Sequence, residues 1–455
     1  MKLLGNVELL DYQRRALTWM RDRESDRNAP GGILALDMGL GKTLLSIAVV
    51  CARGGKTLVV VPTNLVSQWA AEFVKFTGEE PLIVNATDSN KGRVSPESLA
   101  AHEVVLAPIS LFSSMKNEAI LGATFDRVIV DEAHLIRNKN TKTFKKIASI
   151  ESKIKWCLTG TPIVKDERNL ATLLEFMSIF RVNLKYAARE FVFRLVKEDV
   201  ITMPKLVVEE IRSTFMDPKE REAYEDLLVD GRAALAAYKA YADGEGRMEI
   251  LKIILRLRQC VANVNTVPMY DDPDKFYEGT STKLKMLEDD VMSSPMQKTI
   301  IFFTFHKEAD RIAKMLASHG LASARLDGKV KFGDRTKEIE RFEKDPSCNF
   351  FLVQIDAGGI GLNLQMATRI YMNGIHWNGT SDVQAIARAY RIGQTKPVVV
   401  KRLIIDQTID DAIIGIQQKK FECASDILND PRIKSTLTKK SSGMFMRLAE
   451  ALFGM

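Results

Sequence analysis

Gly31-Gly32-Ile33-Leu34-Ala35-Leu36-Asp37-Met38-Gly39-Leu40-Gly41-Lys42-Thr43, followed by the apolar run 44–50, is the stretch whose reading decides the fold. An apolar strand at 33–36 turns through two glycines into a helix that opens with Lys42 and Thr43. Gly39 and Gly41 let backbone N–H groups close on a polyphosphate, and the helix start adds partial positive charge. Lys42 neutralises outer phosphates, and the Thr43 hydroxyl can reach Mg²⁺. Leu36 stands where the first glycine of the full Gly-x-x-x-x-Gly-Lys-Thr pattern would be. On this stretch alone an ordinary glycine-rich turn before a core helix therefore stays open.

With 455 residues the chain is too long for one simple core and fits about two or three domains. Hydrophobic content of 46% and charged content of 27% are those of a soluble globular protein. No apolar run approaches a membrane span, and the start, Met1-Lys2-Leu3-Leu4-Gly5-Asn6, lacks the apolar core of a signal peptide. An intracellular protein without membrane partners is expected, nuclear in a eukaryote or a nuclear virus and otherwise cytoplasmic. Cys51, Cys157, Cys260, Cys348 and Cys423 are scattered with no Cys-x-x-Cys pair, which argues against zinc and against a disulfide framework. The balance of 65 basic to 58 acidic side chains, net +7, permits a polyanionic partner without requiring one.

Upstream of the glycine-rich turn, Leu9-Leu10-Asp11-Tyr12-Gln13 opens an amphipathic helix. The Gln13 amide both donates and accepts, as reading an adenine edge requires. Downstream, the β-branched run 57–61 predicts an internal parallel strand. Its end, Pro62-Thr63-Asn64, opens a helix carrying Gln68, Trp69 and Glu72, at the sheet edge where open α/β folds bind ligands. Further strands at 104–107 and 128–130 lead to Pro108 and to Asp131-Glu132-Ala133-His134. Beside a phosphate cradle, two adjacent carboxylates can place Asp131 on a hydrated Mg²⁺ and Glu132 on the attacking water. Together with Lys42 and Thr43 they predict nucleoside-triphosphate hydrolysis. His134 reads as a structural histidine, and the strand 156–159 ends in Gly160-Thr161-Pro162, a turn able to sense the carboxylates.

These residues resemble a family. Gln13, Asp37-Met38-Gly39-Leu40-Gly41-Lys42-Thr43, Asp131 to His134 and Leu158-Thr159-Gly160-Thr161-Pro162-Ile163 are similar to the first lobe of the Swi/Snf-type DNA-dependent ATPases of helicase superfamily 2. Residues 298–303, 325–328, 357–364 and above all Gln384-Ala385-Ile386-Ala387-Arg388-Ala389-Tyr390-Arg391-Ile392-Gly393-Gln394 resemble that family's second-lobe motifs. Within it, the look is nearest to the group of lodestar-type transcription termination factors and short viral global transactivator-like members. The likeness covers residues 8–425 and implies an α/β fold of two RecA-like parallel-sheet lobes with helical insertions. The boundaries it suggests are 1–180 for the first lobe, 181–280 for helical protrusions and linker, 281–427 for the second lobe and 428–455 for a basic, amphipathic tail.

Strands are expected in the second lobe at 299–303, 324–326, 350–353 and 369–372, and residues 263–279, rich in Asp and Pro, as a mobile loop. The Gly358-Gly359-x-Gly361 turn allows close backbone approach, and Gly361 joins Gln13 and residues 37–43 in the expected ATP site. Arg388 and Arg391, three apart on one helical face, are the expected arginine fingers for the γ-phosphate. Nucleotide would then close the lobes and hydrolysis release them. Contacts to duplex DNA should go to phosphates, without reading sequence, from Thr63, Asn64, Lys329 and Lys331, with Trp377 stacking on a base or packing internally. Met444, Phe445, Leu448 and Leu452 repeat at helical spacing and read as a stripe packing on its own domain.

The chain departs from the family at Leu36, Val164-Lys165, Lys329-Val330 and Gly379, and Asp356 stands where a basic residue commonly precedes Ala-Gly-Gly. A carboxylate there repels a phosphate backbone. The resulting expectation is a monomeric ATP- and Mg²⁺-dependent translocase on duplex DNA that displaces or remodels bound protein, with transcription or chromatin proteins as partners. A strand-separating DNA or RNA helicase, and a nucleotide-switched scaffold with little turnover, stand as alternatives.

Overall fold

The structure, a computed structural model, describes residues 3–5, 7–84, 94–114, 118–160, 167–241, 244–268, 277, 279, 281–330, 332–355, 363–376, 379–428 and 452–453. Two compact units part between Met203 and Pro204.

The first unit is built on a seven-stranded sheet. Its strands are β1 (Gly31–Leu36), β2 (Thr57–Val61), β3 (Leu82–Ile83), β4 (Val104–Pro108), β5 (Phe125–Val130), β6 (Ser152–Leu158) and β7 (Val192–Leu195). Their order is β3-β4-β2-β5-β6-β1-β7, with every pairing parallel. β1, β2 and β4 are buried along their whole length, which explains why they read as unbroken apolar runs. Because all strands run one way, the residues after β1, β2, β5 and β6 emerge on one edge of the sheet. Helices α1 (Asp11–Glu24), α2 (Lys42–Arg53) and α3 (Val66–Thr77) belong to this unit.

The second unit carries β8 (Leu206–Ser213), β9 (Thr299–Phe303), β10 (Ala322–Leu326), β11 (Cys348–Gln354), β12 (Arg369–Met372) and β13 (Val398–Ile405). They form a six-stranded sheet, also parallel throughout, in the order β10-β11-β9-β12-β13-β8. Two long helices, Pro218–Tyr241 and Gly244–Ala262, pack on each other and bury Tyr224, Leu227, Ile254 and Leu257 in the core of this unit. Leu452 and Phe453 are buried in the same core, and the Phe453 ring occupies the space that a Cβ at Gly231, within the first of these helices, would need.

Residues 181–280, read as helical protrusions and linker, also contain strand: β7 adds to the first sheet beside β1, and β8 adds to the second beside β13. Both are half-exposed edge strands, so neither shows the apolar run of a central strand. The strand-like run of β13 stands clearly in the sequence and was passed over. The described ends of the 263–279 segment are pinned by hydrogen bonds. The Asn265 amide exchanges two hydrogen bonds with the Tyr277 backbone, at 2.7 and 2.9 Å, and the Tyr277 hydroxyl donates to Asp217 at 2.7 Å. Residues 269–276 lie outside the described residues.

Candidate functional site

Main-chain geometry shapes the glycine-rich turn after β1. Gly39 and Gly41 have φ of +91° and +89°, conformations that a Cβ would strain. At Gly41 a Cβ would also lie 2.6 Å from Gln13 Nε2. Gln13 is buried on α1; its Nε2 donates to the Leu40 carbonyl at 3.3 Å and its Oε1 accepts from Leu10 N–H at 3.0 Å. The amide expected to read an adenine edge also touches the turn itself. Asp37 is tied to the segment after β7, its N–H donating to the Leu195 carbonyl at 3.1 Å and its Oδ2 accepting from Lys197 N–H at 3.2 Å. Lys42 and Thr43 open α2, and Lys42 Nζ donates to the Leu36 carbonyl at 2.8 Å. Met38 is half-buried and Leu40 is buried within the turn.

Asp131 follows β5 on the same edge. It is 6% exposed, its Oδ2 accepts from the Trp69 indole N–H at 2.8 Å, and its Oδ1 accepts from Glu132 N–H at 2.8 Å. Burial first, and then the neighbouring Glu132 charge, push its carboxyl up to about 6, against the opposing pull of Trp69, Lys42 and the Glu132 N–H. Glu132 is held at φ 46°, left-handed for a residue that has a side chain, and its Oε2 lies 3.2 Å from His134 Nδ1. Backbone of this kind costs about 1–3 kcal/mol and gathers where function needs a side chain aimed. Trp69 lies on α3, which follows β2, the strand beside β5, and so reaches the acid at the next strand end. The sequence reading placed Trp69 on its helix and gave it no role. An indole in the first turn of a helix leaving the same edge was the signal.

In the second unit the expected finger helix stops early. The helix spans Gly379–Ile386, so Arg388 and Arg391 lie beyond it in irregular chain and do not share a helical face. Gln394 Nε2 donates to the carbonyls of Gln365, Ala367 and Ala389 at 2.8, 3.3 and 3.4 Å. Its Oε1 accepts from Thr395 N–H and Lys396 N–H, both at 3.0 Å. Ala387 N–H and Tyr390 N–H still donate to the Val383 and Ile386 carbonyls, and the Gln394 contacts, with Gly393 at φ +97°, fix the turns that follow. Arg388 is 8% exposed and Arg391 is half-buried. Gln394 is a second residue whose part was not foreseen.

Thr63 and Asn64 are exposed on the turn Thr63–Leu65 after β2, with the Thr63 hydroxyl 2.8 Å from that of Ser110. Lys329 is exposed, its N–H donating to Asp327 Oδ1 at 2.8 Å. Lys331, Trp377, Gly361, Asp356 and Thr161-Pro162 lie outside the described residues. Among the described residues no helix is long and apolar enough to cross a membrane.

A strand, a glycine turn and a helix headed by Lys42, with a buried aspartate at the neighbouring strand end, define an ATPase of the phosphate-loop type, and the second parallel sheet gives it a helicase-like architecture. Residues 12–183 match the SNF2-related domain and residues 282–393 the helicase conserved C-terminal domain. The chain belongs to the SNF2-related, Swi/Snf-type family of DNA-dependent, helicase-like ATPases. It is 27% identical to a probable global transactivator of the Orgyia pseudotsugata multicapsid polyhedrosis virus, over 92% of this chain and 91% of that protein. It is 27% identical to an uncharacterised ATP-dependent helicase of Mycoplasma genitalium, over 91% of this chain and 42% of that protein. Transcription termination factor 2 of Drosophila melanogaster is 23% identical over 95% of this chain and 58% of its own length.

Proposed function

We propose that the chain is an ATP- and Mg²⁺-dependent motor that tracks along duplex DNA without reading its sequence and displaces or remodels protein bound there, in transcription or in chromatin and DNA maintenance. The observation that carries this reading is the pairing of the Gly39–Gly41 turn with Asp131 and Glu132 on one sheet edge of the first unit. The names of its relatives, a transactivator and a transcription termination factor, support the setting.

The donor set fits a magnesium ion carried by the nucleotide. Among the described residues no group of three or more His, Cys, Asp or Glu side chains is placed to hold a metal. One carboxylate, Asp131, and one hydroxyl, Thr43, match an ion that takes its remaining ligands from phosphates and water. When bound, the ion neutralises charge on the phosphates. Residues 37–43 hold the polyphosphate through backbone N–H groups and Lys42, Gln13 braces their turn, and Glu132 orients and deprotonates the attacking water. Arg388 and Arg391 supply positive charge to the γ-phosphate in the closed state of the motor. Thr63, Asn64 and Lys329 meet DNA phosphates, which a sequence-blind motor requires.

Phosphate release is measured without nucleic acid and then with duplex DNA, single-stranded DNA and RNA. Stimulation chiefly by duplex DNA, with activity lost by about 10²–10³ in Lys42→Ala and Arg391→Ala, is expected. Turnover indifferent to all three nucleic acids would overturn the motor reading in favour of a scaffold. Stimulation by single strands with strand displacement would favour a separating helicase.

A further inference from the structure

We propose that Trp69 is a positioning residue for Asp131, and that its hydrogen bond makes the orientation of that carboxylate depend on the Thr63–Leu65 turn that leads into its helix. The inference rests on the ATP and DNA roles proposed above for Asp131, Thr63 and Asn64. Of the two donors to the Asp131 carboxylate among the described residues, Glu132 N–H is the next residue in the chain and comes with the strand end. The Trp69 indole, 2% exposed, comes from a different element. Each carboxylate oxygen keeps a second lone pair for a metal or its water, so the indole orients the group without using it up. Partners of this kind set the direction in which a ligand presents its lone pair.

Trp69 lies in the first turn of α3, which begins at Val66 immediately after the turn Thr63–Leu65. The turn Thr63–Leu65 runs without a break into the first turn of α3, so a displacement of the exposed Thr63–Asn64 end is carried toward the indole nitrogen. Trp69 and Phe73 are both buried on α3. A phosphate taken up at Thr63 and Asn64 is thus registered at the carboxylate one strand away.

Trp69→Phe keeps an aromatic ring and removes the donor. Binding of a fluorescent ATP analogue, titrated with Mg²⁺, is expected to need about tenfold more Mg²⁺ in the variant while binding in chelator stays unchanged. A merely structural role would weaken both. If Trp69→Phe does not fold, benzothienylalanine at position 69, which puts sulfur in place of N–H in a ring of the same shape, gives the same titration. A separate readout is the indole N–H resonance of Trp69, assigned as the one missing from the variant. It is expected to shift when duplex DNA is added to the wild type and to stay put in Thr63→Ala/Asn64→Ala. Equal Mg²⁺ requirements in wild type and variant overturn the positioning role. An indole resonance blind to DNA, in a protein whose turnover DNA stimulates, overturns the link along α3. Failure of DNA to stimulate the wild type would instead sink the motor reading, and the Mg²⁺ titration would still decide the role of Trp69.

Discussion

In the first unit the charges proposed to act on ATP sit directly at element ends, Asp131 one residue past β5 and Lys42 at the head of α2, whereas in the second the proposed Arg388 and Arg391 ride on irregular chain beyond the helix Gly379–Ile386. The first arrangement is held by main-chain geometry, with left-handed backbone at Gly39, Gly41 and Glu132. The second is held by one side chain, Gln394, which meets three carbonyls and two N–H groups. Main-chain geometry survives most surface substitutions, while a side-chain hub fails with one. The second unit is therefore the more fragile support for catalysis.

Each unit also buries an ion pair, and breaking the two separately sharpens the contrast. In the first, Arg127 on β5 meets Glu24 on α1 through two bonds of 2.6 and 2.7 Å, both side chains 1% exposed. Trp156 Nε1 donates to the same glutamate at 2.9 Å. In the second, Lys283 meets Asp410 at 2.7 Å. Removing one partner of a buried pair strands the other charge and costs about 3–5 kcal/mol. Glu24→Gln and Asp410→Asn are both expected to lower the melting temperature. Because α1 also carries Gln13, only Glu24→Gln should weaken nucleotide binding beyond what its stability loss explains. Equal nucleotide affinities in the two variants would show that the pair on α1 has no bearing on the glycine turn.

Next in size is Gln394→Met, which keeps the volume and deletes the amide. Buried carbonyls left without partners cost about 1–3 kcal/mol, so the melting temperature should fall. The expected signature is a kcat lowered about tenfold, the lower end of what a misplaced transition-state contact costs, with ATP affinity little changed. Loss of affinity with kcat preserved would mean that the segment holds the ground state and not the transition state.

How much of this was legible follows from the same contrast. β1, β2, β4, β9 and β12 are central strands with unbroken burial, and their apolar runs stand plainly in the sequence. Lys42, Asp131 and Glu132 sit at element ends, where spacing from an apolar run fixes position. β7 and β8 were missed because an edge strand has half its surface in solvent and takes its identity from the neighbour it pairs with. Trp69 and Gln394 act through contacts 62 and 27 to 29 residues away in sequence, and no local pattern encodes such distances. The arginine segment misled because Ala385, Ala387 and Ala389 favour helix, while the helix gives way to turns after Ile386.

The smallest effect concerns Asp382, on the helix that leads to Arg388. It is 2% exposed, its Oδ2 accepts from the Gln417 amide at 2.8 Å, and its Oδ1 accepts weakly from His376 N–H at 3.4 Å. Burial pushes its carboxyl up to about 6, although Gln417, the Arg402 charge on β13, and His376 all pull the other way. A carboxyl raised on folding binds its proton more tightly in the folded state than in the unfolded one. Its contribution to stability is therefore full below the ordinary value of 3.8 and is lost as the pH rises through about 6. Gln417 Oε1, buried without a hydrogen-bond partner among the described residues, is an acceptor that a protonated Asp382 can use. Asp382→Asn cannot titrate, so its melting temperature should change less across this window than that of the wild type, and should exceed it most at the upper end. Parallel melting curves for the two proteins would place the ionised carboxylate in better company than its surroundings suggest, with Arg402 as the partner that neutralises it.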